Sequence, residues 1–571
     1  MAKVNASFDE KTAAALLLFT YSLYFIHECQ EYKRGDFMNK RIISVFIVFA
    51  MLYGTCCLRL YTLSVGNSAT ANGQSGGYTV NVGNIRGDIL DCNGVRLVSD
   101  DYENVVVAKP TNKAVAELER VLDTHTLSDV KERMEKGNAV SVNIGRLEIS
   151  QNSDAVMLKK HIRYSENQLA CHIIGYLNAE GRGISGIEKS FNEILFTGKS
   201  LSATLKTDVY GRILSGRRIE IRNSNPDTAS VMLTIDSRFQ QIAENALDSS
   251  MTECGGAVVV EIATGAIRAC ASRPDFDSSK LADSLDDENA PLINRMLSAY
   301  AVGSVFKVAV TAAALENGIN EFYHTCSGSC EVGGVVFSCN NATAHGELNM
   351  TKALECSCNT FFIRLAEKTG ADKIIETASL LGFGQEITLA DGIVSKSGVL
   401  PTRETLSSAG ELANFSFGQG KFTATALQLA SMMCAVAGGG RYTQQYIIEK
   451  VTASDGTLLQ SHKTSYPVTA LSESTAERLT RMLVSVVENG NAQQAKLKNG
   501  IQAAGKTATA QTGTFKNGSE ICNTWFAGFF PADNPRYAVV ILKEGGESGA
   551  TDCAPIFRRI ADKITDSEKN S

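Results

Sequence analysis

Three short segments of this 571-residue chain carry side chains that could do chemistry together. The first is Gly303-Ser304-Val305-Phe306-Lys307. On a helix, positions i and i+3 share a face, so Ser304 at a helix start sets its hydroxyl beside the Lys307 amine. A serine hydroxyl is a weak nucleophile until a neighbour takes its proton. A lysine can do so once burial or a second cation lowers its pKa. The second segment is Ser357-Cys358-Asn359, after a helical run over 351–355. It offers a hydroxyl for proton relay and an amide for a substrate hydrogen bond. The third is Gly505-Lys506-Thr507-Ala508-Thr509-Ala510-Gln511, just before the apolar C-terminal strands. It reads as an exposed strand edge whose cation and hydroxyl suit a substrate carboxylate. Its ammonium would also help lower the pKa of Lys307. Taken singly, each segment has an ordinary reading: a helix with a surface lysine, a polar turn, a solvated strand.

The surrounding pattern supplies elements to position these groups. Residues 112–137 read as helices, 228–236 as a strand and 238–248 as a helix. Ala257–Ile262 and Ala266–Ala271 read as strands around the tight turn Thr264-Gly265. From Ser304 the pattern is helical until Gly318, and 525–530 with 537–542 reads as a final hairpin. Asn93-Gly94 is a hairpin-turn signal. No repeat of domain-array length is present. The predicted class is α+β, with a boundary near residue 230.

Hydrophobic residues make up 44% and charged residues 20%, which excludes a disordered, collagenous or polytopic membrane chain. A net charge of −6 gives no nucleic-acid footprint, so no nucleic-acid partner is expected. Residues 42–58 carry no charge and follow a basic cluster of Lys33, Arg34, Lys40 and Arg41. That predicts an uncleaved transmembrane anchor over 42–63, with its N-terminal side cytoplasmic and the remainder exported. Residues 1–41 form an uncertain N-terminal segment. Its apolar stretch 12–26 could span the membrane, lie at the interface, or belong to residues preceding a true start at Met38. The linker is 64–78, rich in Gly, Ser and Asn.

Fifteen cysteines are many for an exported protein; either several pair, or the cell's surroundings keep thiols reduced. His324, Cys326, Cys330, Cys339 and His345 could be a zinc set, but their spacing fits no standard finger. A Cys326–Cys339 disulfide is the preferred reading, with Cys330 spare, although sequence cannot fix connectivity. No metal and no cofactor is expected.

The order SxxK, SxN, KT is specific as a conjunction, being that of penicillin-binding proteins and class A β-lactamases. The chain resembles class B penicillin-binding proteins, the monofunctional D,D-transpeptidases of peptidoglycan synthesis. The likeness extends to Arg86-Gly-Asp-Ile-Leu-Asp-Cys-Asn-Gly94, His172-Ile-Ile-Gly175, Gly183-Ile-Ser-Gly-Ile-Glu188 and Leu233-Thr-Ile-Asp236. Asn294-Arg295, Phe417-Gly-Gln-Gly420 and Trp525-Phe-Ala-Gly528 also fit. The glycines of Phe417–Gly420 read as a tight turn near the active site.

The resemblance implies a bacterial, single-pass membrane protein with an extracytoplasmic catalytic domain. It implies an extended, mostly-β pedestal or dimerisation-type domain over 79–230. A transpeptidase domain follows over 231–567, with helices on a five-stranded antiparallel sheet. It makes Ser304 the acylated nucleophile, Lys307 its base, Ser357 a proton relay and Asn359 a ligand of the substrate amide. Lys506 and Thr507 would hold the donor carboxylate, with Ala508 and Thr509 lining the same strand. The backbone N–H groups of Ser304 and Thr509 would form the oxyanion hole. Implied partners are stem peptides ending in D-Ala-D-Ala, β-lactams, and a SEDS-family membrane glycosyltransferase.

Three positions depart from the family pattern: Ala508 for Gly, Val302 for Pro and Cys92 for Arg; Cys358 occupies the variable middle position of SxN. The Ala508 methyl could crowd a ligand or be absorbed by a small shift. Alternative readings are a D,D-carboxypeptidase or β-lactamase-type hydrolase, and a non-catalytic β-lactam sensor or cell-wall-machinery scaffold.

Overall fold

Val258, Val259 and Val260 follow one another in Gly255–Glu261, and Val539, Val540 and Ile541 in Tyr537–Glu544. Such runs, apolar at consecutive positions, suit strands with both faces covered. A computed structural model describes residues 44–59, 76–222, 228–463, 465–516 and 518–569. In it these two strands are central in a five-stranded sheet. Its order is Ile267–Arg273, Gly255–Glu261, Tyr537–Glu544, Ser519–Phe530, Ala504–Lys516, and every pair is antiparallel. Helices Ser237–Asp248 and Cys553–Lys569 pack on it and on each other. Helix Ala426–Ala437, started by a Thr425/Gln428 capping box and buried almost throughout, packs on it too. Ala504–Lys516 is one of the two edge strands, which leaves one side of its backbone free of a sheet partner.

Helix Lys307–Glu316 is buried on every side from Lys307 to Leu315. Its composition explains this: Val and Ala predominate and no polar face exists to be solvated. A short 3-10 turn, Gly303–Phe306, precedes it, so the expected helix begins with a tighter turn that carries Ser304.

Residues 79–205 and 215–571 form one compact unit. Within it, Val140–Asn143, Tyr102–Ala108 and Ala155–His161 make a three-stranded sheet. Helices Asn112–Leu118 and Thr124–Glu135, capped by Thr111 and Asp123, join a small core of their own with Val106, Leu118, Val130 and Val140. The pattern change near residue 230 does not coincide with a break in packing. Strand Ser230–Leu233 lies in a four-stranded sheet between Ile89–Leu90 and Ile448–Thr452, and Ile89 shares one apolar core with Ile564. The motif around Asp91 closes this seam. Asp91 Oδ1 accepts from the N–H groups of Asn93 and Val95, both at 2.8 Å, and Oδ2 from the Ser237 hydroxyl at 2.7 Å.

The other unit is described by itself. It contains an exposed helix over 44–59 and the turn at 206–214, where Asp208 Oδ1 accepts from the N–H groups of Tyr210 and Arg212. No helix among the described residues is long and apolar enough to cross a membrane. The flanks of the expected anchor, the apolar stretch 12–26 and most of the linker lie outside the described residues.

Candidate active site

The residues singled out from sequence converge where the 303–306 turn, the 356–359 segment and the edge strand meet. Ser304 is half-buried on the turn. Gly303, at a φ of 64°, brings that turn against the strand: an added Cβ would lie 3.2 Å from Thr509 O and from Ala510 Cβ. Gly303 N–H donates to Gly418 O at 2.9 Å, and a Cβ on Gly418 would fall 2.1 Å from Gly303 O. The Phe417–Gly420 glycines therefore serve as a close-approach turn beside Ser304. Trp525 Nε1 donates to Ala301 O at 3.0 Å and fixes the chain just ahead of it.

Lys307 is wholly buried. Its Nζ donates to Ser357 O at 2.8 Å, Ser357 Oγ at 3.2 Å and Asn359 Oδ1 at 2.7 Å, and stands 5.4 Å from the Phe362 ring centroid. Lys506 is wholly buried too, although its strand is an edge. Its Nζ donates to Ser357 Oγ at 3.2 Å and to Thr507 O at 3.0 Å. One hydroxyl thus sits between two lysine nitrogens. Burial pushes the Lys307 ammonium down to about 8. Burial first, and the charge of Lys307 second, push Lys506 well below its ordinary value. A pair of lysines in this state can hand a proton to and from the hydroxyl between them.

Asn359 Nδ2 donates to Ser338 O at 2.9 Å, so its amide ties the 338–345 segment to the site. Thr507 Oγ1 donates to Asn491 Oδ1 at 3.1 Å, and Asn491 N–H donates to Glu355 O. Asn491 and Phe362 had no signal in the motif spacing; they are reached only through the fold. Thr509 is exposed, and its Oγ1 accepts from Gly549 N–H at 3.4 Å. Ala508 is 4% exposed and belongs to the main apolar core. Its methyl is packed inward and does not stand in open space.

The cysteine expectation needs correction. Cys326 Sγ and Cys339 Sγ are 3.7 Å apart and unbonded, well beyond the ~2.05 Å of a disulfide. Cys358 Sγ lies 3.7 Å from Cys339 Sγ, and His345 Nδ1 lies 3.4 Å from Cys326 Sγ. His324 and Cys330, grouped with these residues by sequence proximity, are outside this cluster, and Cys358 is inside it. The hairpin Ser329–Val332 with Val335–Ser338 carries Cys330 away.

Known proteins resemble this chain in sequence and in fold. Residues 255–562 match the penicillin binding protein transpeptidase domain. The chain is similar to stage V sporulation protein D of Bacillus subtilis, at 28% identity over 83% of this chain and 77% of that protein. It is similar to penicillin-binding protein PbpB of Mycolicibacterium smegmatis, at 30% over 70% of this chain and 64% of that protein. It is also similar to the peptidoglycan D,D-transpeptidase FtsI of Escherichia coli K12, at 29% over 70% of this chain and 66% of that protein. The chain thus spans just under two thirds of the last two. Among solved structures, the D,D-transpeptidase domain of a peptidoglycan glycosyltransferase from Eggerthella lenta superposes with a TM-score of 0.63. It is 26% identical and covers 85% of this chain and 99% of that one. A serine one turn from a buried lysine, a second serine between two lysines, and this match over more than half the sequence place the chain in the penicillin-binding protein transpeptidase family.

Proposed function

We propose that this protein is a serine-type peptidoglycan D,D-transpeptidase that cross-links stem peptides through an acyl-enzyme and is inhibited by β-lactams. The observation that carries the reading is the Ser357 hydroxyl held between the Nζ atoms of Lys307 and Lys506. Ser304 Oγ attacks the carbonyl of the penultimate D-alanine while its proton passes to neutral Lys307. The peptide C–N bond breaks, and D-alanine leaves with a proton delivered by way of Ser357. An amine of a second stem peptide then attacks the ester. Ser304 regains its proton as the ester C–O bond breaks. Asn359 orients the donor amide, and Lys506 with Thr507 receives its carboxylate. The N–H groups of Ser304 and Thr509 receive the oxyanion.

The reading extends to the rest of the chain. Residues 42–63 anchor the protein in the bacterial membrane, with the basic cluster before them on the cytoplasmic side. Residues 79–230 serve as a pedestal for a catalytic domain over 231–567. The glycan strands come from a separate polymerase, a SEDS-family membrane glycosyltransferase by family resemblance.

The test is intact mass spectrometry of the full chain in detergent after incubation with a labelled penicillin, beside Ser304→Ala. A single stable adduct on the wild type, lost in the variant, is expected. A folded wild type that takes no adduct favours a scaffold. An adduct that water clears within seconds favours a hydrolase.

A further inference from the structure

The motif accounts for Ser357 and Asn359 but leaves Cys358 between them with no task. Cys358 is fully buried and caps the N-terminus of helix Asn359–Thr369, where its Sγ accepts from Phe361 N–H at 3.4 Å. It faces two more buried thiols and a half-buried imidazole. The four ligand atoms of Cys326, Cys339, His345 and Cys358 all lie within 4.8 Å of one another. We propose that these four residues bind one zinc ion in a closed tetrahedral Cys3His site that fixes the Ser357–Asn359 segment in its catalytic position.

The distances support coordination. With Zn–S near 2.3 Å, two thiolates on a tetrahedral ion stand about 3.8 Å apart, and a thiolate and an imidazole nitrogen about 3.5 Å. The observed separations are 3.7 Å for Cys326–Cys339, 3.7 Å for Cys339–Cys358 and 3.4 Å for Cys326–His345. A disulfide would have to draw one of these pairs together by more than an ångström and strand the third thiol. The donor set is that of a structural zinc site, with no coordination position left for a substrate. Each thiol that binds gives its proton to solvent, and the imidazole binds neutral through Nδ1. Backbone groups already point at the sulfurs: Gly328 N–H donates to Cys326 Sγ at 3.3 Å, and Phe361 N–H to Cys358 Sγ at 3.4 Å. Such outer contacts orient ligands and tune the metal.

The ligands come from separate elements. Cys326 ends strand His324–Cys326, Cys339 caps the short turn Asn340–Ala342, His345 precedes strand Gly346–Leu348, and Cys358 starts the helix. One ion would join them directly behind the residues that Lys307 touches. Ser338 O, adjacent to Cys339, already accepts from Asn359. The four are positioning residues: none touches the reacting atoms, and their effect reaches Ser357 and Asn359 through the backbone.

The metal site stands independently of the transpeptidase reading, while its effect on acylation rests on it. The experiment uses the full chain purified in detergent under reducing conditions. Elemental mass spectrometry should find one zinc per chain. Replacement by cobalt should give the intense visible bands and thiolate charge-transfer absorption of a tetrahedral sulfur-rich site. Cys358→Ser and His345→Gln should weaken or abolish that spectrum, whereas Cys434→Ser, in helix Ala426–Ala437, should keep it. Removing zinc with a chelator should slow penicillin acylation roughly 10- to 100-fold, and added zinc should restore it. A folded wild type with no zinc and no cobalt spectrum overturns the proposal. So does a Cys326–Cys339 or Cys339–Cys358 disulfide in a separate sample whose free thiols are alkylated at lysis and which is purified without reductant. Unchanged acylation after complete zinc removal overturns the positioning role. Zinc present in a protein that takes no penicillin leaves the metal site standing and removes the transpeptidase reading.

Discussion

Ser357 adopts a φ of 56°, a left-handed conformation that a residue with a Cβ adopts at a cost of about 1–2 kcal/mol. That backbone turns its hydroxyl toward Lys307 and Lys506 together, so local strain is spent on the one oxygen that touches both. The charge state of Lys307 then sets the pH dependence of acylation. In the proposed mechanism only neutral Lys307 can accept the Ser304 proton, and burial lowers its pKa to about 8. The acylation rate should therefore rise with pH through about 8 and level off above it. Stopped-flow acylation between pH 6 and 10 checks this, and a profile that falls over that range contradicts the assignment. At position 508, the buried methyl fills space in a strand interior. Ala508→Gly should lower stability by about 0.5–1 kcal/mol and change the acylation rate by less than about threefold. Denaturant unfolding and the penicillin assay together read both effects. The motif residues were legible in the sequence because their chemistry is carried by side-chain type and order. Burial of Lys506 was not legible: an edge strand reads as solvated until the 356–359 segment is seen to cover it.

At the scale of elements, the turn at Phe417–Gly420 matters as much as any motif. Gly418, at a φ of 78°, presses against the carbonyl of Gly303, directly before Ser304. Gly418→Ala would set a Cβ 2.1 Å from that oxygen, so one of the two turns must move. We expect penicillin acylation to fall at least tenfold, with the melting temperature lowered as well. An alanine at Gly456, exposed and with open space around it, should leave acylation unaltered even though its φ is 83°. The sheet strands and the helix after Lys307 were readable from their apolar runs and Gly318. Two features escaped: the 3-10 turn that carries Ser304, and the grouping of thiols. Spacing along the chain puts Cys330 nearer to Cys326 than Cys358 is, but strand pairing reverses that order in space.

For the molecule as a whole, one buried carboxylate organises the N-terminal region. Glu188 accepts from Arg86 Nε at 2.5 Å and Arg163 Nε at 2.7 Å, and from Tyr164 Oη at 3.2 Å. Glu188→Gln would leave two guanidinium groups around a neutral amide in a dry site. A loss of about 3 kcal/mol or more is expected, seen as a lower unfolding midpoint. Glu132→Gln, in an exposed i,i+4 pair with Lys136, should change it by under about 0.5 kcal/mol. The composition shift near residue 230 was visible in the sequence, but the sheet that spans it was not. Its strand Ile89–Leu90 has two residues, too short to leave a periodic signal. That shared sheet has a consequence for how such genes can be rearranged. A fragment starting at residue 231 would lose the Ile89–Leu90 strand and the Asp91 contacts that hold Ser237. Recombination that grafts the catalytic half onto a foreign stalk would expose one unpaired edge of strand Ser230–Leu233, which keeps its pairing with Ile448–Thr452 on the other side. Exchange of the two halves at residue 230 is therefore expected to cost stability unless the Arg86–Gly94 segment travels with the catalytic half.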